Sequence, residues 1–361
     1  MGLAVKGLHM DDFRNSESRS IELSRRTTVL VGPNASGKTN TVEALQMLTA
    51  GYSFRRPQPR QLVREGAAAA RIEARLEGDG RVVDMRCDVA QGRRQFFRNG
   101  KKCHATDVPG TLLSVLFTPD DLALVKRGAS VRREELDGFG RQAAAGYSRL
   151  LAAYTRAVEQ RNRLLREERP DPGLLDAWDA SVAVGGAALL HSRLRLFSRL
   201  APKVAEAYAQ ISGGESLSCE YVCSLGNAAV ELDRDSLAER FGAALAAARL
   251  DDLRRQQTTV GPHRDDVSFL IDGRDARAFA SQGQQRSAVL ALKMAETSIA
   301  EEVTGSRPLL LLDDVMSELD AARCDAVVGM LLADTQAVIT TTNLGYFSDG
   351  VLCGAEVVSY G

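Results

Sequence analysis

The chain carries almost no net charge. Across 361 residues, 46 lysines and arginines stand against 47 aspartates and glutamates, a formal charge of -1. That balance excludes a global positive field for drawing in nucleic acid, so any such binding must use a local basic surface or one created on assembly. No secretory hydrophobic segment follows Met1-Gly2-Leu3-Ala4-Val5-Lys6, and Lys6 stands where N-myristoylation needs Ser or Thr. No continuous apolar run approaches the length of a membrane span. The six cysteines (Cys87, Cys103, Cys219, Cys223, Cys324, Cys353) are scattered. Cys219-x-x-x-Cys223 has no second pair to complete a zinc site. These absences leave a cytoplasmic protein with reduced thiols. Its length allows two domains, and 44% hydrophobic with 26% charged residues is ordinary globular composition.

One stretch organises the rest. Gly32-Pro33-Asn34-Ala35-Ser36-Gly37-Lys38-Thr39 reads G-x-x-x-x-G-K-T, the phosphate-binding loop of nucleotide-binding proteins. Gly32 and Gly37 let the backbone bend with no Cβ in the way. The loop's N–H groups then converge on the β- and γ-phosphates, aided by the positive end of the following helix. Lys38 neutralises phosphate charge, and the Thr39 hydroxyl is a Mg²⁺ ligand. The context agrees: Thr28-Val29-Leu30-Val31 reads as a buried strand before the loop, and Val42, Leu45 and Leu48 recur at helical spacing after it.

Ahead of the loop, Leu3–Leu8, Phe13-Arg14-Asn15 and Ser20–Leu23 look like strands. Arg55, Arg56, Arg60 and Arg64, interleaved with Pro57 and Pro59, read equally as a solvated loop and as a phosphate-contacting surface. Residues 70–103 alternate as an antiparallel meander, with Asn99-Gly100 as a type I′ hairpin signal. Arg93, Arg94, Arg98, Lys101 and Lys102 cluster there with Phe96 and Phe97. A nucleic-acid patch would look like this, but a hairpin with one apolar and one solvated face is the favoured reading. From about 120 to 257 the pattern is helical, broken by Pro170-Asp171-Pro172, Pro202 and Gly213-Gly214. A helix of about 30 residues reaches only ~45 Å, too short for a long coiled-coil arm. Strand-like texture returns at Thr258–Ile271. Within it His263 is expected to be a loop histidine near phosphates or a partner.

Two further segments complete a candidate site. Leu309-Leu310-Leu311-Leu312 is an aliphatic run that predicts a strand buried on both faces of a parallel sheet. It delivers Asp313 and Asp314 to the carboxyl edge, where ligands bind. Asp313 is expected to hold Mg²⁺ through water opposite Thr39, and Asp314 to polarise the attacking water. Ser281-Gln282-Gly283-Gln284-Gln285-Arg286 opens a helix with Ser281 as its N-cap. It looks like the signature motif of ABC-type ATPases. In that class the Ser and Gly backbone and the helix N-terminus reach the γ-phosphate held by another subunit. Ser317-Glu318-Leu319-Asp320 matches the D-loop of the same class.

Together with Phe117-x-Pro-x-Asp-Leu, Leu124-Val125-Lys126-x-Gly128 and Gly261-Pro262-His263-Arg264-Asp265-Asp266, these motifs closely resemble the RecF family of bacterial DNA-repair ATPases, related to SMC and Rad50 heads. The resemblance runs over nearly the whole chain. It implies an α/β ABC-type P-loop ATPase head, with a mixed sheet and an antiparallel β-meander, made from residues 1–118 and 258–361. A helical lever domain is inserted over 119–257. It also implies an ATP- and Mg²⁺-dependent homodimer that binds DNA at single-strand gaps, hydrolyses ATP slowly, and helps load RecA with RecO and RecR. By motif, Gly32 to Thr39 bind phosphate, with Lys38 catalytic. Thr39 and Asp313 take the metal, Asp314 activates water, and Ser281, Gln282 and Gly283 act in trans. Asp314 where the wider class carries Glu, and Thr340-Thr341-Thr342 where transporters carry a switch His, both fit slow turnover. The alternative is an ABC-type subunit of another system such as a transporter, against which the helical insertion and the missing histidine weigh. A nuclease on a similar head would append an acidic domain, for which no segment is seen. No Q-loop glutamine is placed by these patterns.

Overall fold

The computed structural model describes residues 2–320, 323–324, 327, 329, 335–347 and 352–360. The chain divides into two compact units, Met1–Ala123 with Val289–Gly361, and Leu124–Ala288.

The first unit keeps antiparallel and parallel strands in separate sheets. A six-stranded antiparallel sheet runs in the order β2-β1-β4-β5-β6-β7, from β1 (Ala4–Phe13), β2 (Ser16–Glu22), β4 (Ala69–Gly78), β5 (Arg81–Ala90), β6 (Arg93–Arg98) and β7 (Lys101–Cys103). Its strands alternate, as a sheet with one wet face must. β1 continues through Phe13 as one strand, and Arg14-Asn15, expected in a strand, form the turn into β2. Asn99 and Gly100 both take positive φ (49° and 74°), which gives the expected hairpin turn its backbone.

The second sheet of this unit is parallel throughout, in the order β14-β3-β13-β12-β8, from β3 (Thr27–Val31), β8 (Ser114–Phe117), β12 (Leu309–Asp313), β13 (Ala337–Thr341) and β14 (Ala355–Ser359). Every residue of β12 and β13 is buried, the pattern of strands covered on both faces. Helix α1 (Lys38–Ala50) lies between the two sheets, buried from Thr41 to Ala50. Its Val42, Leu45 and Leu48 share one core with Met10, Ile72 and Met85 of the antiparallel sheet and with Leu309, Leu311 and Val338 of the parallel one. Because all five strands of the parallel sheet point the same way, β3, β12 and β13 end on one edge.

The second unit is mainly helical: α2 (Ala129–Ala143), α3 (Tyr147–Leu164), α4 (Pro172–Ile211) and α5 (Arg234–Arg255). Asp171 caps α4 by accepting from Leu174 N–H at 2.9 Å, and Pro172 occupies the first turn, where its missing N–H costs nothing. Pro202, expected to end a segment, lies inside α4. The helix therefore spans 40 residues, about 60 Å at 1.5 Å per residue. By length and composition α4 is long and apolar enough to cross a membrane, although charged residues interrupt its apolar stretches. Here it is a core helix. Its Asp179 and Arg193 are buried in ion pairs, and Gly186 lets Phe241 of α5 approach so closely that a Cβ there would stand 2.0 Å from the ring.

A small antiparallel sheet, β11-β10-β9, belongs to the same unit, built from β9 (Leu217–Val222), β10 (Asp266–Ile271) and β11 (Arg274–Asp275). It is followed by the short α6 (Ala276–Phe279) and by α7 (Gln282–Thr304), along which the chain passes back to the first unit. The helical unit thus extends over Leu124–Ala288, where the sequence placed 119–257. The reason is non-local pairing. β10 pairs with β9 from Asp266↔Val222 to Ile271↔Leu217. The preceding segment is an irregular loop, not a strand. Thr259 donates to Asp252, Tyr221 and Ser224 donate to Asp265, and Arg132 grips Asp266 at 2.7 Å. His263 sits in that loop inside the unit, with Nδ1 2.6 Å from Tyr154 Oη and Nε2 3.0 Å from the Thr258 carbonyl. Burial pushes its pKa down to about 4. It is a half-buried loop histidine, and both its ring nitrogens are engaged within its own unit.

Candidate functional site

The phosphate loop leaves β3 at Val31 and enters α1 at Lys38. Its shape is held from three sides. Behind it, a Cβ on Gly32 would fall 2.0 Å from the Tyr360 carbonyl, so only glycine fits, and Tyr360 N–H donates to Val31 O at 2.7 Å. The Tyr360 hydroxyl lies 2.6 Å from Thr41 Oγ1. Beside it, Asn15 in the β1–β2 turn donates to the Ala35 carbonyl at 3.0 Å and accepts from Asn40 at 2.7 Å. The neighbouring Arg14 pairs with the fully buried Glu43 at 2.6 Å. These clamps hold Ala35 (φ 65°) and Gly37 (φ 102°) in left-handed backbone, which arches the loop. Lys38 Nζ donates to the Gly32 and Pro33 carbonyls, both at 2.7 Å, so the ammonium lies across the mouth of the arch. Ser36 Oγ is buried without a partner among the described residues.

The carboxylates arrive on β12, separated from β3 by β13. Asp313 pairs with Thr340 across the ladder, and Thr340 with Leu30. This register brings two hydroxyls to one oxygen: Thr39 Oγ1 donates to Asp313 Oδ1 at 2.9 Å and Thr340 Oγ1 at 2.8 Å. Asp314 is turned out of the strand by a left-handed backbone (φ 53°), its N–H donating to Thr340 Oγ1 at 2.9 Å. Its Oδ1 is buried with no hydrogen-bond partner among the described residues. Burial raises the Asp314 pKa above the usual carboxylate value, the charge on Asp313 adds to this, and Lys38 opposes it. A carboxylate with a raised pKa and an unused oxygen suits a proton acceptor. Orphaned oxygens on Ser36 and Asp314, with Thr39 and Asp313 in contact, fit a site built for phosphate and a hard cation.

The signature residues lie on the other unit. Ser281 caps α7 as expected: its Oγ accepts from Gln284 N–H at 3.2 Å, and its own N–H donates to Gln284 Oε1 at 2.8 Å, a reciprocal capping box. Ser281 and Gln282 are exposed and Gly283 half-buried. Of the switch threonines, Thr340 and Thr341 are buried in β13 while Thr342 is exposed beyond it. Ser317 of the D-loop donates to the Asp314 carbonyl at 3.0 Å. Two of the loop arginines bind acids of their own unit, Arg55 with Glu43 at 3.4 Å and Arg64 with Asp12 at 2.6 Å. In the basic hairpin Phe96 is buried and Phe97 lies under Arg86, 4.1 Å from ring to guanidinium carbon, while Arg93, Arg94, Lys101 and Lys102 are exposed. That is the two-faced hairpin favoured above. Asn15 and Tyr360 had no motif to announce them; they are remote in sequence and meet the loop only through the fold.

A P-loop and a carboxylate-tipped strand on one parallel sheet, flanked by an antiparallel sheet and interrupted by a helical unit with a capped signature turn, define an ABC-type ATPase head. A family model described as the RecF/RecN/SMC N terminal domain matches residues 4–354. The chain is 38% identical to the DNA replication and repair protein RecF of Gloeobacter violaceus, over 98% of this chain and 96% of that one. With the RecF of Pelotomaculum thermopropionicum it shares 35% identity over 99% of each. A solved structure described as the recombination mediator protein RecF-ATPrS in the RecFOR pathway superimposes with a TM-score of 0.90 at 32% identity, covering 96% of this chain and 94% of that one. An SMC head domain from Pyrococcus furiosus shares the fold alone, with a TM-score of 0.54 at 16% identity. The chain belongs to the RecF family.

Proposed function

We propose that this chain is an ATP-gated clamp on DNA, working in recombinational repair as a homodimer that closes around ATP and opens on hydrolysis. Family membership supports the repair setting: relatives are named DNA replication and repair proteins, and a solved relative is described as RecF-ATP in the RecFOR pathway. The transporter alternative is not favoured by that company. The observation that carries the ATPase reading is the cluster of Thr39, Asp313 and Thr340 at the mouth of the phosphate loop, with the unpartnered Asp314 oxygen beside it.

The roles follow from position. The N–H groups of Gly32 to Thr39 cradle the phosphates, and Lys38 gives up its loop carbonyls to bind them. Thr39 and Asp313 are the residues that would hold Mg²⁺, which supplies neutralisation of β- and γ-phosphate charge when bound. Asp314 takes a proton from the attacking water. With the shorter Asp at this position, turnover is slow, and DNA stimulates it. Ser281, Gln282 and Gly283 of one copy meet the γ-phosphate held by the other. The Ser281 oxygen already accepts from Gln284 N–H, so its own hydrogen remains to donate outward. The closed dimer acts in the cytoplasm at single-strand gaps in DNA, with RecO and RecR as partners in loading RecA.

The test is Ser281→Arg. The variant should bind ATP like the parent, because the phosphate loop is untouched, yet fail to dimerise when ATP and Mg²⁺ are added. A variant that dimerises as before would remove the trans arrangement.

A further inference from the structure

The signature turn is not free-standing; the helical unit holds it through one side chain. Gln284 closes the capping box by accepting from Ser281 N–H with Oε1, and its Nε2 donates to Glu215 Oε1 at 2.7 Å. A backbone N–H only donates and a carboxylate only accepts, so these two partners fix which way the amide faces. Glu215 in turn accepts from the Tyr208 hydroxyl at 2.9 Å. Tyr208 is fully buried and lies in the last turn of α4. The short segment carrying Glu215 is pinned on both sides: Ser212 Oγ donates to the Glu215 carbonyl at 2.8 Å, and Ser216 N–H and Oγ both donate to Asp272 Oδ1 at 2.9 Å. A second glutamine, Gln285, fastens the other side of the turn by donating to the Ala280 carbonyl at 2.7 Å.

We propose that Glu215 is a positioning residue for ATP-dependent dimerisation. With Tyr208 it forms a relay through which the C-terminal end of the 40-residue α4 sets the attitude of the Ser281 turn. The proposal rests on the reading that Ser281 meets nucleotide bound by a second copy. Its physical basis is that a hydroxyl must hold one direction to donate to an external oxygen. Gln284 holds that direction only while its amide is held by Glu215. A displacement of the end of α4 then reaches the turn through two hydrogen bonds, and ATP-driven closure answers to the state of the helical unit.

The experiment compares variants of the full chain by ATP affinity of the monomer, using a fluorescent ATP analogue, and by dimer dissociation constant in saturating ATP and Mg²⁺. Glu215→Ala should leave monomer affinity within about twofold. It should weaken the dimer roughly tenfold at each of the two symmetry-related sites, a factor equal to about 1.4 kcal/mol per site. Glu215→Gln keeps an acceptor for Gln284 and can donate to the Tyr208 oxygen, so it should dimerise like the parent. Gln284→Glu sets two carboxylates against each other and should weaken the dimer. Adding Glu215→Gln to it restores donor against acceptor and should recover dimerisation, a rescue that a general loss of packing would not show. Dimerisation of Glu215→Ala at parental strength, while Ser281→Arg fails, would overturn the relay and leave the trans reading standing. Normal dimerisation of Ser281→Arg would remove the trans reading and the relay with it. If Glu215→Ala does not fold, the swapped pair decides, and a double variant no better than Gln284→Glu overturns the proposal.

Discussion

Replacing Asp314 by asparagine separates what this residue does for chemistry from what it costs the fold. The side chain projects from left-handed backbone (φ 53°), a conformation that asparagine tolerates about as well as aspartate, so the backbone is preserved. Alanine would add about 1–2 kcal/mol of strain and confuse the comparison. The backbone bond from Asp314 N–H to Thr340 Oγ1 is kept as well. What changes is the charge. The carboxylate is half-buried, has one buried oxygen without a partner, and lies beside Asp313, which together raise its pKa. A native pKa above the unfolded one means this group's contribution favours folding below the unfolded pKa and is lost as pH rises through the folded one. At neutral pH the ionised form is therefore a burden. Removing it should stabilise the protein slightly, an effect kept small because the site is still partly open to water. The same change removes the proton acceptor and should cut the rate of a single ATP turnover by about 10²- to 10⁴-fold. Thermal melts without nucleotide read the first effect and single-turnover hydrolysis the second. The ATP-bound dimer of this variant should also persist. A hydrolysis rate within threefold of the parent would refute Asp314 as the base.

Other consequences are checkable on purified protein. Lys38→Ala removes the only ammonium on the phosphate loop and should abolish ATP hydrolysis; unchanged turnover would take the loop out of the mechanism. His263, held neutral with a pKa of about 4, makes stability fall as pH drops from the unfolded value near 6.5 toward 4. The loss should be on the order of 3 kcal/mol, read from denaturant midpoints across that window. His263→Gln should flatten that dependence, and an unchanged slope would place the titration elsewhere.

The parts of the site that were legible in the sequence are those made by neighbours in the chain. The glycines, lysine and threonine of the phosphate loop, the aliphatic run that ends in Asp313 and Asp314, and the cap at Ser281 each carry their chemistry within a few residues, and each lies where the pattern put it. What escaped is what long-range pairing decides. The segment at Thr258–Asp265 has strand-like composition, but its backbone is spent on Asp252 and its neighbours and forms no ladder. β9 was hidden inside a helical stretch because its partner, β10, comes more than forty residues later. Pro202 stays within α4 although local preference would break the helix there, because packing along a buried helix outweighs one lost hydrogen bond. Asn15 and Tyr360 reach the loop from opposite ends of the chain, and Glu215 reaches Gln284 across 69 residues. No local pattern encodes such contacts.

The most direct test of the clamp is binding to gapped DNA and to plain duplex at one fixed salt concentration, with and without ATP and Mg²⁺, using Asp314→Asn to hold the ATP state. The account predicts binding that requires ATP and is tighter on the gap. Absence of DNA binding in every nucleotide state, or equal binding with and without ATP, would contradict it.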